Sequence, residues 1–410
     1  MNLRLQGIPI TLFAAKTGTV IGQLDYRRSK LTRTQARFAG RFAIQPVINL
    51  EEFKTKAVID WISLRFSLAR ATQHQWLQRE IEPIFGRPCY IENIDGAPNN
   101  SSSRFDIRFQ EPEIATVLKV LHAIETRFGL KDEPSVQSVE ISVDFTPKIP
   151  DDLQRARLVR VLMNHLQVRS DVTTNFRDRP RTVWGRGPDH TQRLLYNSKH
   201  LTATENNRFL LDTERDRAPY ADGTLIIGEK EAEVRWRVMD KIIDRQNIAA
   251  ETFVELDDKL KRARVEVTLG LPELKKIGVS TLQDLRSLSF TKLQGRYFQF
   301  TLPTFVNEPE RASKKEAIAA ASNQERASKF SKTGVIGLKA MDAAKADAKR
   351  KMRRMILPDL HAKGLRMKGA NRNAQGANGS FVAYDELNER VRVALRNLRR
   401  RVVDGFSADT

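Results

Sequence analysis

The sequence predicts an α+β fold: an antiparallel β-sheet core with packed helices, plus a basic, partly helical C-terminal appendage. Three observations predict it. Strand-like alternation recurs between residues 50 and 306 at spacings too short for βαβ crossovers throughout. Helical periodicity interrupts it at separate places, and after "LPTF" the composition turns strongly basic.

Residues 1–49 form a basic N-terminal segment with weak patterning. Its "YRRSKLTRTQARFAGRF" is a run of cations suited to an arm on DNA or to a solvated surface. From about residue 50 the pattern sharpens. "AVIDWISLRFSL" alternates Val58, Asp60, Ile62, Leu64 and Phe66 against Ile59, Trp61, Ser63 and Arg65, a strand with Asp60 on its apolar face. "RFDIRFQ" is a further strand, and Val117, Val120, Leu121 and Ile124 recur at helical spacing in "PEIATVLKVLHAIETRFGL". After the strand "VQSVEISVDFTP" comes a helix opened by "PDDLQRARLVRVLMNHLQV", with acids at its positive end.

"RTVWGRGPDHTQRLLYNS" and "GTLIIGEKEAEVRWRVMDK" each read as strand, glycine-containing polar stretch and strand. "RARVEVTLG" is another strand, and Ser280 with Gln283 forms an expected helix capping box. Residues 50–306 therefore form the expected main domain, the one that would carry any catalysis. Residues 307–410 hold 23 Lys and Arg against 12 acidic groups and read as a basic DNA-binding or flexible region. Within it, "YDELNERVRVALRNLRRRVV" can instead be an amphipathic helix docked through Leu387, Val391, Val393, Leu395 and Leu398.

At 410 residues and 40% hydrophobic content the chain supports a sizeable core. A net charge of +20 makes nucleic acid the first partner to expect. The lone Cys89 rules out an intramolecular disulfide framework and fits a reducing cytoplasm. No apolar stretch approaches the ~20 residues that cross a bilayer, so a soluble, cytoplasmic protein without a membrane partner is expected.

In "SVEISVDF", Glu140, Ser142 and Asp144 project to one face of an extended chain and Val139, Ile141, Val143 and Phe145 to the other. "RARVEVTL" repeats this with Arg264, Glu266 and Thr268. If the two strands are neighbours, Glu140, Asp144 and Glu266 converge as ligands for Mg²⁺ or Mn²⁺. No cysteine pair and no closely spaced histidine pair exists for zinc, and a Walker-type phosphate loop is absent. Tyr196 with Lys199 three residues on supplies a phenol and an ammonium that meet if a helical turn begins there. The cation would ease ionisation of a phenol whose ordinary pKa is near 10.

Over roughly 135–290, and in the same order, the chain resembles the gene II-type replication initiators of filamentous bacteriophages. It resembles equally the related plasmid and phage initiators of the replication-initiation-factor type. "VQSVEISVDFTPKIPDDLQRARLVRVLMNHL" is similar to their acidic strand, loop and helix, "RTVWGRGPDHTQRLLYNSKH" to their tyrosine segment, and "RARVEVTLGLPELKKIGV" to their glutamate strand. The resemblance implies a nucleophile at Tyr196, a basic companion at Lys199 and metal-binding acids at Glu140 and Glu266, to which strand geometry adds Asp144. It implies a rolling-circle initiator that binds a single-stranded or hairpin DNA origin, nicks one strand, holds the 5′-phosphate covalently and re-ligates it. Host helicase or polymerase would be further partners. In "RVMDKIIDRQN", Met239 stands where the plasmid branch carries its tyrosine, so either the first hairpin carries the chemistry, which Tyr196 with Lys199 favours, or nicking activity has been lost. The alternative from another class is a non-catalytic basic nucleic-acid-binding protein acting in regulation or packaging.

Overall fold

The computed structural model describes residues 5–31, 35–95, 101–185, 191–195, 210–247, 252–308, 314–365 and 380–407. The N-terminal segment contributes sheet rather than a solvated arm. Its strands β1 (Gly7–Phe13), β2 (Val20–Ser29) and β3 (Arg41–Pro46) bury Ile8, Ile10, Leu12, Leu24 and Tyr26. Next come β4 (Phe53–Gln73), α1 (His74–Phe85), β5 (Tyr90–Asn93), β6 (Ser101–Gln110) and α2 (Ile114–Phe128). They are followed by β7 (Ser135–Pro147), α3 (Asp152–His165) and the short β8 (Leu166–Gln167). Asp151 caps α3 by accepting a hydrogen bond from the Gln154 amide at 2.9 Å, as its acidic start implies.

The two expected hairpins form as β9 (Arg181–Trp184) with β10 (Thr191–Leu194), and β11 (Thr224–Ile227) with β12 (Val234–Lys241). A separate pair, β13 (Ile243–Asn247) and β14 (Thr252–Glu255), precedes β15 (Arg262–Gly270). Then follow α4 (Leu271–Lys276), α5 (Asp284–Ser287), α6 (Phe290–Tyr297), β16 (Gln299–Val306), α7 (Lys314–Ala362), β17 (Phe381–Ala383) and α8 (Asp385–Ser407). The Ser280/Gln283 capping box does not form. The Asp284 carboxylate instead accepts from the amides of Ser280 and Thr281, both at 2.8 Å, because a carboxylate takes two donors at once.

Every strand pair among the described residues is antiparallel. A nine-stranded sheet runs β10-β9-β11-β12-β15-β7-β4-β6-β5, and a second runs β1-β2-β3-β16-β17 with β8 alongside β16. Helix α3 touches β12, β15 and β7 of the large sheet and β1, β2 and β16 of the small one. Enclosure between two sheets explains why it is buried nearly all round. On the large sheet, Ile141, Val143, Val265, Val267, Trp236 and Val238 share the helix-covered face. The opposite face collects the charged members of the same strands.

The basic C-terminal region is partly helical, as expected, and its last helix docks on the core. Helix α8 packs against β4, α2, α5 and α6 and buries Leu387, Val391, Leu395 and Leu398, while Val393 faces solvent. These side chains join one hydrophobic core that also includes the N-terminal strands. Helix α7 breaks at Gly334 (φ 63°, ψ −161°), where the chain passes over the end of α3. No helix among the described residues is long and apolar enough to cross a membrane.

Candidate functional site

The charged face of the large sheet is set by register. Arg237, Glu266 and Ser142 lie directly opposite one another across β12, β15 and β7, and Arg235, Thr268 and Glu140 form the next rung. Strand β4 pairs irregularly with β7 between Ile59 and Trp61. Ile59 pairs with Ile141 and Trp61 with Glu140, so Asp60 is the extra residue of a β-bulge. The bulge turns Asp60 away from the apolar face assigned to it by simple alternation and delivers it, with Trp61, to the charged face.

Asp60, Glu140 and Glu266 thereby bring carboxylate oxygens within 4.8 Å of one another. Asp144 joins a different arrangement. Four residues along a strand place it roughly 13 Å from Glu140, where Arg264 holds it through Nε at 2.5 Å and Nη2 at 2.8 Å. Of the expected ligands, Glu140 and Glu266 therefore lie together, and Asp60 completes the cluster.

Arginines thread the carboxylates. Arg237 Nη2 donates to Glu140 Oε1 at 2.8 Å and stands 2.5 Å from Glu266 Oε2. Arg264 Nη1 donates to both Asp60 oxygens at 3.0 and 3.1 Å. Glu140 accepts further bonds from Trp61 Nε1 at 2.9 Å and Thr268 Oγ1 at 2.6 Å, and Ser142 Oγ bonds Asp60. Glu266 is only 4% exposed, and Arg237 is the partner of its Oε2. Burial pushes its carboxyl up to about 7, against the pull of Arg237. Burial likewise raises Asp60, opposed by Arg264.

Beside the carboxylates a cleft of about 430 Å³ opens, lined by Trp61, Arg108, Glu140, Arg235, Arg237 and Thr268 among others. Hard carboxylate oxygens this close together suit Mg²⁺ or Mn²⁺. Asp60, Glu140 and Glu266 are the residues that would hold the ion. Met239 lies on the same charged face, directly opposite Arg264. Its thioether cannot serve as a nucleophile there.

Tyr196 and Lys199 lie outside the described residues. Leu194, at the end of β10, belongs to the rung that runs through Arg181, Ile226 and Arg237 to Glu266. Four strand spacings, roughly 19 Å, separate Leu194 from Glu266. Alternation identified Glu140 and Glu266. It missed the Asp60 contribution, whose signal was a lone acid in an otherwise apolar register. No family model matches the chain, and no curated protein matches it.

Proposed function

We propose that the chain is a rolling-circle replication initiator that nicks one DNA strand through Tyr196, with Mg²⁺ or Mn²⁺ held by Asp60, Glu140 and Glu266. The observation that carries this reading is the convergence of three carboxylates from three adjacent strands beside a cleft lined by arginines. The combination suits phosphodiester chemistry, because arginines attract the phosphates and the ion supplies Lewis-acid polarisation of a phosphoryl oxygen. In the proposed step the Tyr196 oxygen bonds to phosphorus, the bond to the 3′-oxygen breaks, the phenol loses its proton and the leaving oxygen gains one. Lys199 stabilises the phenolate. The phosphotyrosine retains the bond energy, so attack by the 3′-hydroxyl reverses the step without ATP.

The reading makes a geometric demand. Two residues of extended chain cover only about 7 Å, so the scissile phosphate must lie over β11 and β12, between the phenol and the carboxylates. Single-stranded and hairpin oligonucleotides labelled at the 3′ end, incubated with Mn²⁺ and run on a denaturing gel, test the proposal. A protein-linked labelled fragment that disappears with EDTA and in Tyr196→Phe is expected. Persistence of that fragment in Tyr196→Phe would remove the nucleophile from the proposal.

One observation favours a second reading. Arg237 and Arg264 already neutralise the carboxylates, as in a metal-free binding surface whose acids merely position arginines for phosphates. A non-catalytic regulatory or packaging protein would bind DNA equally well in EDTA and form no covalent product.

A further inference from the structure

On β4, β5 and β6, next to the cleft, Trp61, Arg108 and Tyr90 stand in a row. Tyr90 is directly opposite Arg108, and Arg108 is opposite Ser63, whose face Trp61 shares two residues earlier. The Arg108 guanidinium carbon lies 4.3 Å from the Trp61 ring centroid and 5.8 Å from that of Tyr90. These contacts are attractive cation–π contacts.

Packing alone does not account for the row. Tyr90 is 60% exposed, which leaves much of its ring in water. Arg108 Nε is buried and has no hydrogen-bond acceptor among the described residues, and the same holds for Arg235 Nε in the adjoining cleft. Two residues along the strands, Arg65 does find a carboxylate, binding Asp106 through two bonds of 2.7 Å. Guanidinium groups lining the cleft beside an exposed aromatic ring match a ligand that combines phosphates with flat bases. Burial and the neighbouring charges of Arg237 and Arg181 weaken the hold of Arg235 on its proton, a strain that a bound anion relieves.

We propose that Tyr90, Arg108 and Trp61 form a stacking site for the bases of an unpaired DNA strand, with Arg108 and Arg235 donating to its phosphates. The inference rests on reading the cleft as a DNA site. It adds that the strand arrives already single-stranded, because a base must leave its duplex neighbours before Tyr90 can stack on it. Stacking of this kind tolerates any base, so the row provides strand-state selection without sequence selection.

Fluorescence anisotropy with full-length protein tests this, using a labelled poly-thymidine strand and a duplex of equal length in EDTA, where no cleavage occurs. Tyr90→Ala is expected to weaken single-strand binding by about 5- to 100-fold, the effect of one lost base stack. Its duplex affinity and salt dependence should stay unchanged, and Tyr90→Phe should bind as wild type. Arg235→Ala should instead make the slope of log K against log salt shallower by roughly 0.7, the share of one single-strand phosphate contact. Wild-type single-strand affinity in Tyr90→Ala, or equal losses for single strand and duplex, would overturn the stacking site. Since EDTA removes nicking from this assay, absence of a Tyr196-linked fragment elsewhere would sink the nicking reaction and leave the stacking result standing.

Discussion

At the residue scale, Glu266 is the most telling side chain, since it is buried, close to two other acids and paired with Arg237. Glu266→Gln keeps the shape and removes the charge. Nicking should be abolished while DNA binding stays nearly intact. Thermal melting gives a readout independent of activity: a ligand at a hundredfold excess over its Kd stabilises by about 2.7 kcal/mol, roughly 3 °C for a chain of this length. Mn²⁺ should raise the wild-type Tm by that order and leave Glu266→Gln unmoved. An equal shift in both would place the ion elsewhere.

Asp216 and Lys329 pose a different residue-scale question, since both side chains are fully buried and lie 2.9 Å apart. Burial, opposed by Lys329, raises the Asp216 carboxyl from 3.8 to about 6. The folded protein therefore holds that proton more tightly than the unfolded chain, and the Asp216 contribution to stability falls as pH rises from about 4 to about 6. The loss is on the order of 3 kcal/mol. Asp216→Asn stays uncharged at every pH and should match the wild type near pH 4, where Asp216 is itself protonated. Measured by denaturant titration, the wild type should lose stability relative to this variant across the same window as pH rises. A wild type that gained on the variant as pH rose would contradict the assigned direction.

At the scale of elements, the break in α7 is decided by one contact. A Cβ on Gly334 would meet the Asn164 carbonyl oxygen at 2.6 Å and its Cα at 2.7 Å, in a backbone region that side chains rarely adopt. Gly334→Ala should cost roughly 3–5 kcal/mol from combined overpacking and backbone strain, a Tm fall of about 5 °C. An unchanged melting curve would show that α3 and α7 can separate freely. The sequence announced elements of this size unevenly. The paired strands β9–β10 and β11–β12 were readable because glycine-containing polar stretches separate apolar runs. The α7 break was not, because its cause is a residue 170 positions earlier. The bulge at Asp60 was invisible for a related reason: alternation assumes a regular strand, and only pairing with β7 shows that one residue is extra. The ion pairs of Arg237 and Arg264 likewise depend on which strands become neighbours.

At the scale of the whole molecule, the C-terminal residues change meaning once their packing is known. Composition marked them as a polyanion-binding tail. Seven buried apolar side chains of α8, from Leu387 to Phe406, put them in the core. At about 1.5–3 kcal/mol each, their removal costs roughly 10–20 kcal/mol, comparable to or above the 5–15 kcal/mol that typically stabilises a folded protein. Deleting residues from 385 onward should thus abolish cooperative melting and DNA binding together. A truncated protein that still melts cooperatively and loses only part of its salt dependence would restore the detachable-tail view. Net charge was read correctly as a property of the chain, yet charge describes association and says little about which segments fold.

The extra residue in β4 also has a genetic consequence. Because Ile59 and Trp61 keep regular partners on either side of it, an in-frame loss of codon 60 would close the strand without shifting any other pairing. The third carboxylate is thus a single-codon insertion in an otherwise conventional strand, a route by which a lineage can gain or discard an acid at this surface in one mutational event while its remaining architecture is inherited intact. A protein lacking residue 60 should fold, melt within a few degrees of the parent and show no stabilisation by Mn²⁺.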